Sequence, residues 1–159
     1  MEIKNYWDKV YAANAPTSVS WYQEHTECSL SLLRNTGIFR PAAIIDVGGG
    51  TSTLVDDLIA EGYSDITVLD LSAAALSAAR QRMGALAAKV QWLQADVTKA
   101  DLPCHRYYVW HDRAVFHFLT EPEQRKSYVD RVFRSVKPGG MLLLPPLPRM
   151  GRPSAAVSR

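Results

Sequence analysis

Four short apolar runs, each closing on or beside an aspartate, constrain this chain more than any other feature. Ala42–Val47 carries Asp46 and opens onto Gly48-Gly49-Gly50, and Ile66–Leu69 runs into Asp70. Val90–Leu93 ends near Asp96, and Tyr107–Trp110 meets His111-Asp112. Between them lie helical stretches: Ser52–Glu61, with Leu54, Val55, Leu58 and Ile59 on one face, and the alanine-rich Ser72–Met83. Pro122–Val136 reads as a long helix stopped by Lys137-Pro138-Gly139-Gly140, after which Met141–Leu144 opens a fifth strand. Short unbroken apolar strands are buried on both faces, and strands separated by helices pair in parallel. The expected fold is therefore α/β, a doubly wound parallel sheet with helices on both faces.

The remaining composition excludes several classes of function. A net charge of +2 with no stripe of Lys and Arg gives no footprint for nucleic acid. No apolar run approaches the roughly 18 residues of a membrane span, and none follows Met1 as in a signal peptide. Cys28 and Cys104 lack metal-type spacing, so reduced thiols, no metal and a cytoplasmic setting are expected. The first 40 residues are aromatic-rich. Ile3, Tyr6, Trp7, Val10 and Tyr11 form the stripe of an amphipathic helix that Pro16 ends. A second helix is expected over Thr26–Asn35, with Thr26 as cap and Gly37 as stop.

In a doubly wound sheet, ligands bind beyond the carboxyl ends of the strands, where strand order reverses. Aspartates there can simply cap the following helices, but four of them with a glycine turn at the first point to a ligand. Asp46 lies two residues before Gly48, and Thr51, Ser52 and Thr53 stand where a third glycine of a dinucleotide fingerprint would fall. A ligand bearing a cationic amino group suits Asp46; a pyrophosphate does not, which disfavours a nucleotide-dependent oxidoreductase. Asp70, followed by Leu71, is placed to accept both hydroxyls of a ribose. Asp96, in Gln94-Ala95-Asp96-Val97, is placed to accept from the exocyclic amine of a base, or else to form a turn.

Together these residues resemble the class I, seven-strand, Rossmann-like S-adenosylmethionine-dependent methyltransferases. The matching motifs are Ile45-Asp46-Val47-Gly48-Gly49-Gly50, Val68-Leu69-Asp70, Gln94-Ala95-Asp96 and Val136-Lys137-Pro138-Gly139-Gly140. A narrower likeness, to small bacterial enzymes akin to the lysine methyltransferases of citrate synthase and elongation factor, rests on three segments. They are Tyr6-Trp7-Asp8-Lys9-Val10-Tyr11, Trp21-Tyr22-Gln23 and the run from Trp110 to Leu119. The resemblance implies S-adenosylmethionine as cofactor, S-adenosylhomocysteine as product, and a nitrogen or sulfur nucleophile on a protein lysine or small molecule. It implies a cofactor site of Asp46, Gly48, Gly49, Gly50, Thr51, Asp70, Leu71, Ala95, Asp96 and Val97. The fourth strand lacks an Asn/Asp-Pro-Pro-Tyr motif, which moves adenine and glutamine amides down the order of acceptors. Asp112 and His111, with His117 nearby, are candidates to orient or deprotonate an incoming amine. Against this, Asp112 could cap a helix and His117 could be a packed core imidazole. Trp7, Tyr11, Trp21 and Tyr22 could form an aromatic lid, Trp21 over the cofactor, although Trp7 could equally pack a helix on the sheet.

The resemblance ends near Leu144. The family continues with a helix and an antiparallel hairpin, whereas this chain reads Pro145-Pro146-Leu147-Pro148 and stops at Arg159. The expectation is a domain over residues 1–144, with 1–40 as a helical lid and 41–144 as the core, followed by an irregular tail over 145–159. A base lost after the codon of Leu144 would account for the tail, since restoring it permits a reading like the family's continuation. The fifth strand would then keep an open edge that favours a homodimer. The alternative function is a truncated, non-catalytic cofactor-binding or oligomerising domain.

Overall fold

A computed structural model describes residues 2–13 and 26–146 of the 159-residue chain. Five strands form one sheet in the order β3-β2-β1-β4-β5. They are β1 (Ile44–Val47), β2 (Ile66–Asp70), β3 (Val90–Gln94), β4 (Tyr107–Asp112) and β5 (Val136–Leu143). Every pairing among the described residues is parallel. The order reverses between β1 and β4, where Val47 lies opposite Asp112. This is the doubly wound parallel sheet expected from the alternating runs, and it agrees with the Rossmann-like fold that the resemblance implied, without an antiparallel hairpin among the described residues.

The two faces of the sheet carry separate cores. Ile44, Ile66, Val68 and Val109 meet helices α2 (Glu27–Thr36), α3 (Leu54–Ala60) and α4 (Ala73–Met83) through Leu30, Leu33, Leu54, Leu58 and Leu76. On the other face, Ile45, Val47, Leu69 and Trp110 meet Tyr128 of α6 (Pro122–Ser135) and the β3–β4 connection through Val97, Ala100 and Leu102. Alternate side chains of a strand point to opposite faces, so residue parity sorts the site residues as well. Asp46 and His111 lie on the α2–α3 face; Asp112 lies on the α6 face.

Helix ends follow their local chemistry. Gly37 closes α2 in the left-handed conformation, with φ 65°, a backbone that glycine adopts without a Cβ penalty. Thr26 sits at the N-cap position of α2 but makes no side-chain cap bond. Ser72 caps α4 by accepting from Ala75 N.

Two expectations need correction. The fifth strand begins at Val136 rather than Met141: Val136 pairs with Tyr107, Met141 pairs with Val109, and the residues between bulge out opposite Tyr108. Pro138 has no N–H for a ladder, and the bulge spares it that requirement. The stripe predicted for α1 (Glu2–Ala13) is only partly buried, with Ile3 52% and Tyr6 60% exposed. None of its described side chains joins either core. It is held at its flank, where Trp7 stacks edge-on against Phe118 with ring centroids 5.5 Å apart. Ser72 Oγ donates to Asp8 Oδ1 at 2.6 Å. These contacts tie α1 to the segments following β2 and β4, at the carboxyl end of the sheet.

Candidate functional site

The glycine turn after β1 is shaped by the protein itself. Gly48 N donates to Leu69 O at 2.7 Å, and Ser52 N donates to Gly49 O. Gly48 has φ 71°, and a Cβ there would come 2.2 Å from Val115 Cγ2. A Cβ on Gly49 would meet Val68 Cγ1 at 2.6 Å and Asp46 Oδ2 at 2.9 Å. Neighbouring side chains thus leave no room for a Cβ at either position without a shift, and the positive φ of Gly48 favours glycine as well. Thr51 is buried. Its carbonyl accepts from Arg82 Nη1 at 2.9 Å, and Arg82 also pairs with Asp56 at 2.7 Å. Arg82 clamps the turn to α3 and α4.

Asp70, 8% exposed, closes β2 beside this turn. Its Oδ1 accepts from Ser72 N at 2.8 Å, and backbone bonds from Gly50 and Leu71 also stabilise its charge. Burial outweighs them, and with the nearby negative charge of Asp46 it raises the Asp70 carboxyl to about 6. Among the described residues no cation pairs with it. A buried carboxylate left with acceptor capacity and no counter-ion fits a ligand that brings hydroxyl donors.

Asp96 commits one oxygen to a turn. Its Oδ1 accepts from Thr98 N at 2.9 Å and Thr98 Oγ1 at 2.7 Å, the turn geometry that sequence reasoning left open. Among the described residues its Oδ2 has only Lys99 Nζ at 4.0 Å, so that oxygen still has room for a donor. Ala95 N is bonded to Asp70 O at 3.0 Å, which holds the Ala95–Val97 segment against the end of β2.

Neither candidate at the end of β4 is open. Asp112, 1% exposed, accepts at Oδ1 from Ala114 N and Val115 N and at Oδ2 from Phe116 N and Tyr128 Oη. It caps the short helix α5 (Val115–Phe118), the alternative to the catalytic reading. Tyr128 is held well above the usual phenol range, by burial first and by the Asp112 charge next, so it stays a donor. Trp110 Nε1 donates to the same Tyr128 oxygen at 2.9 Å. His111, 2% exposed, bonds Asp46 Oδ1 through Nδ1 and Ser29 Oγ through Nε2, each at 2.8 Å. With both ring nitrogens engaged in the interior, it offers none to an incoming amine. His117 is exposed rather than a core imidazole. Trp21 and Tyr22 lie outside the described residues, as does the side chain of Tyr11.

Asp46, Gly48, Gly49, Gly50, Asp70 and the Ala95–Val97 segment are thus brought together across the ends of β1, β2 and β3. Sequence reasoning missed Ser29, Arg82 and Tyr128. Tyr128 alone carried a signal, since it lies on an amphipathic helix in phase with Val132 and Ser135.

This architecture defines a class I methyltransferase domain, the class whose cofactor is S-adenosylmethionine. The model of the family described as "Methyltransferase domain" matches residues 44–140, and the chain belongs to that family. The chain is 25% identical over 134 residues to the eEF1A lysine and N-terminal methyltransferase of Mus musculus, covering 83% of this chain and 19% of that one. The Drosophila melanogaster homolog is 26% identical over 143 residues, covering 86% and 21%. The chain thus spans about one fifth of the length of these curated relatives. Among solved structures, phosphoethanolamine N-methyltransferase 1 of Haemonchus contortus, in complex with phosphoethanolamine and S-adenosylhomocysteine, superposes with a TM-score of 0.70. It is 15% identical, with 89% of this chain and 30% of that chain covered, a likeness of fold.

Proposed function

We propose that the protein transfers a methyl group from S-adenosylmethionine to a nitrogen or sulfur nucleophile, with a protein amine as the favoured acceptor. The carrying observation is Asp70: a carboxylate beside a glycine turn, raised to about 6 by burial first and by the nearby charge of Asp46. When bound, the cofactor supplies an electrophilic methyl group on a sulfonium. Asp70 would accept from the ribose hydroxyls, Asp46 would face the ammonium group, and Asp96 Oδ2 would accept from the adenine amine. Gly50, Thr51, Leu71, Ala95 and Val97 would line the same pocket. Two neighbouring carboxylates repel each other, and a cationic ligand relieves both. Helix α1 would roof the site and exclude water, tied to Ser72 and Phe118 as described, whereas α2 packs on the face of the sheet. Asp112 would act by fixing α5 and α6, with no proton to carry.

The preference for a protein amine rests on the mouse relative, whose name specifies lysine and N-terminal methylation. Methyl-labelled S-adenosylmethionine offered with a lysine-containing peptide, a small amine and a small thiol tests it. Label on the peptide amine is expected; label only on the thiol would overturn the preference. Saturable cofactor binding with no transfer to any acceptor would favour the non-catalytic alternative.

We further propose that residues 1–144 work as one domain in the cytoplasm, and that two copies associate through the β5 edge. The supporting observation is an apolar groove of about 140 Å³ lined by Phe116, Val129, Phe133, Leu142 and Leu144, with Phe133 83% exposed. Apolar grooves beside a sheet edge favour association. Light scattering should report a dimer that Phe133→Lys dissociates; a wild-type monomer at all concentrations would contradict it. No helix among the described residues is long and apolar enough to cross a membrane.

A further inference from the structure

We infer that Ser29 and His111 are positioning residues for Asp46, a buried relay that sets which carboxylate oxygen faces the glycine turn. The inference rests on the cofactor reading above and assigns these two residues a task in recognising the ammonium end. Ser29 on α2, His111 on β4 and Asp46 on β1 are joined by two 2.8 Å bonds, and all three are at least 97% buried.

With an ionised Asp46 and a neutral imidazole, the direction of the chain follows from the donor inventory. A carboxylate only accepts, so His111 Nδ1 carries a hydrogen and donates to Asp46 Oδ1. In the neutral imidazole Nε2 is then an acceptor, and the Ser29 hydroxyl donates to it. Oδ1 is thereby committed, and rotation of the carboxylate would break the bond. Oδ2 is left beside Gly49, where a Cβ would come 2.9 Å from it. The charge of Asp46 also reaches the neighbouring Asp70, whose protonation it favours.

Mere tethering of α2 to the sheet would not call for three polar groups. Apolar residues of similar volume do that without the cost of burying a charge. The arrangement makes sense when the oxygen at the far end of the relay has a partner in the site. His111 is therefore moved from the reacting groups, where sequence reasoning put it, to a supporting place behind Asp46.

The test compares two ligands that share adenosine and a thioether but differ at the amino-acid end. Dissociation constants for S-adenosylhomocysteine and 5′-methylthioadenosine would be measured by titration calorimetry for wild type, His111→Phe, His111→Asn and Ser29→Ala. His111→Phe should weaken S-adenosylhomocysteine about tenfold and leave 5′-methylthioadenosine within about twofold, the size of one charge-assisted hydrogen bond. His111→Asn, which keeps a donor near the Nδ1 position, should recover most of the loss. Ser29→Ala should lose about threefold on the first ligand alone, and carries the same prediction should His111→Phe fail to fold. Equal weakening of both ligands, or of neither, would overturn the relay while leaving the cofactor reading intact. Failure of the wild type to bind either ligand would overturn the cofactor reading, and the relay with it.

Discussion

Asp70 and Asp112 each end a parallel strand and are each almost fully buried, yet their surroundings make opposite demands. Around Asp112 the protein supplies four donors: three backbone N–H groups and the Tyr128 hydroxyl. Around Asp70 it supplies fewer, places another carboxylate nearby, and leaves the acid raised to about 6. A fully satisfied buried carboxylate holds structure together, whereas one with fewer donors keeps acceptor capacity that a ligand's hydroxyls would fill under the proposed function. Position at a strand end does not tell the two apart; the donor inventory does.

The largest effect expected from this contrast is on stability at Asp112. Asp112→Ala strands buried donors on α5 and α6 and should cost about 3–5 kcal/mol in urea unfolding; a loss below about 1 kcal/mol would remove the contrast. At Asp70 the sign reverses. Its folded value of about 6 lies above the ordinary 3.8, so the folded state holds the extra proton between those pH values. Stability from this group is therefore fully present below pH 3.8, declines as pH rises to about 6, and at pH 7 is lower by about 3 kcal/mol. Asp70→Asn should consequently stabilise the ligand-free protein by about 1–3 kcal/mol at pH 7 and by nothing near pH 3. Destabilisation at both pH values would show that the carboxylate is structural after all.

Ligand binding gives the same contrast in a milder form. Ribose hydroxyls need the ionised acid, so with Asp70 at about 6 affinity for S-adenosylhomocysteine should be flat above pH 7 and fall about tenfold between pH 7 and 5. A flat profile through that window would detach Asp70 from the ligand. The smallest effect belongs to Lys99, 4.0 Å from Asp96 and largely exposed. Lys99→Ala should change affinity less than about threefold, as befits a screened surface pair, and a larger loss would mean that Lys99 itself touches the ligand.

Much of the fold was legible because burial on both faces leaves a plain mark. Ile66–Leu69 and Tyr107–Trp110 are apolar without alternation, and Gly37 and Ser72 mark helix ends by their own chemistry. The start of β5 was hidden, because a Pro-Gly-Gly run that reads as a turn is accommodated as a bulge. At the site, Asp46, Asp70 and Asp96 could be singled out from their strand ends alone. The fates of His111 and Asp112 could not, because they depend on partners remote in sequence: Ser29 on α2 and Tyr128 on α6. Strand parity places the two on opposite faces of the sheet, but only the packed structure shows which donors wait there.

Titration calorimetry of the purified protein with S-adenosylhomocysteine, beside Asp70→Ala, decides whether the open carboxylate is the cofactor's. Saturable binding by the wild type, weakened about 100-fold in the variant, is the expected result, the equivalent of two hydrogen bonds to a charged acceptor. Equal affinity in the two proteins, or no binding by a folded wild type, would contradict it.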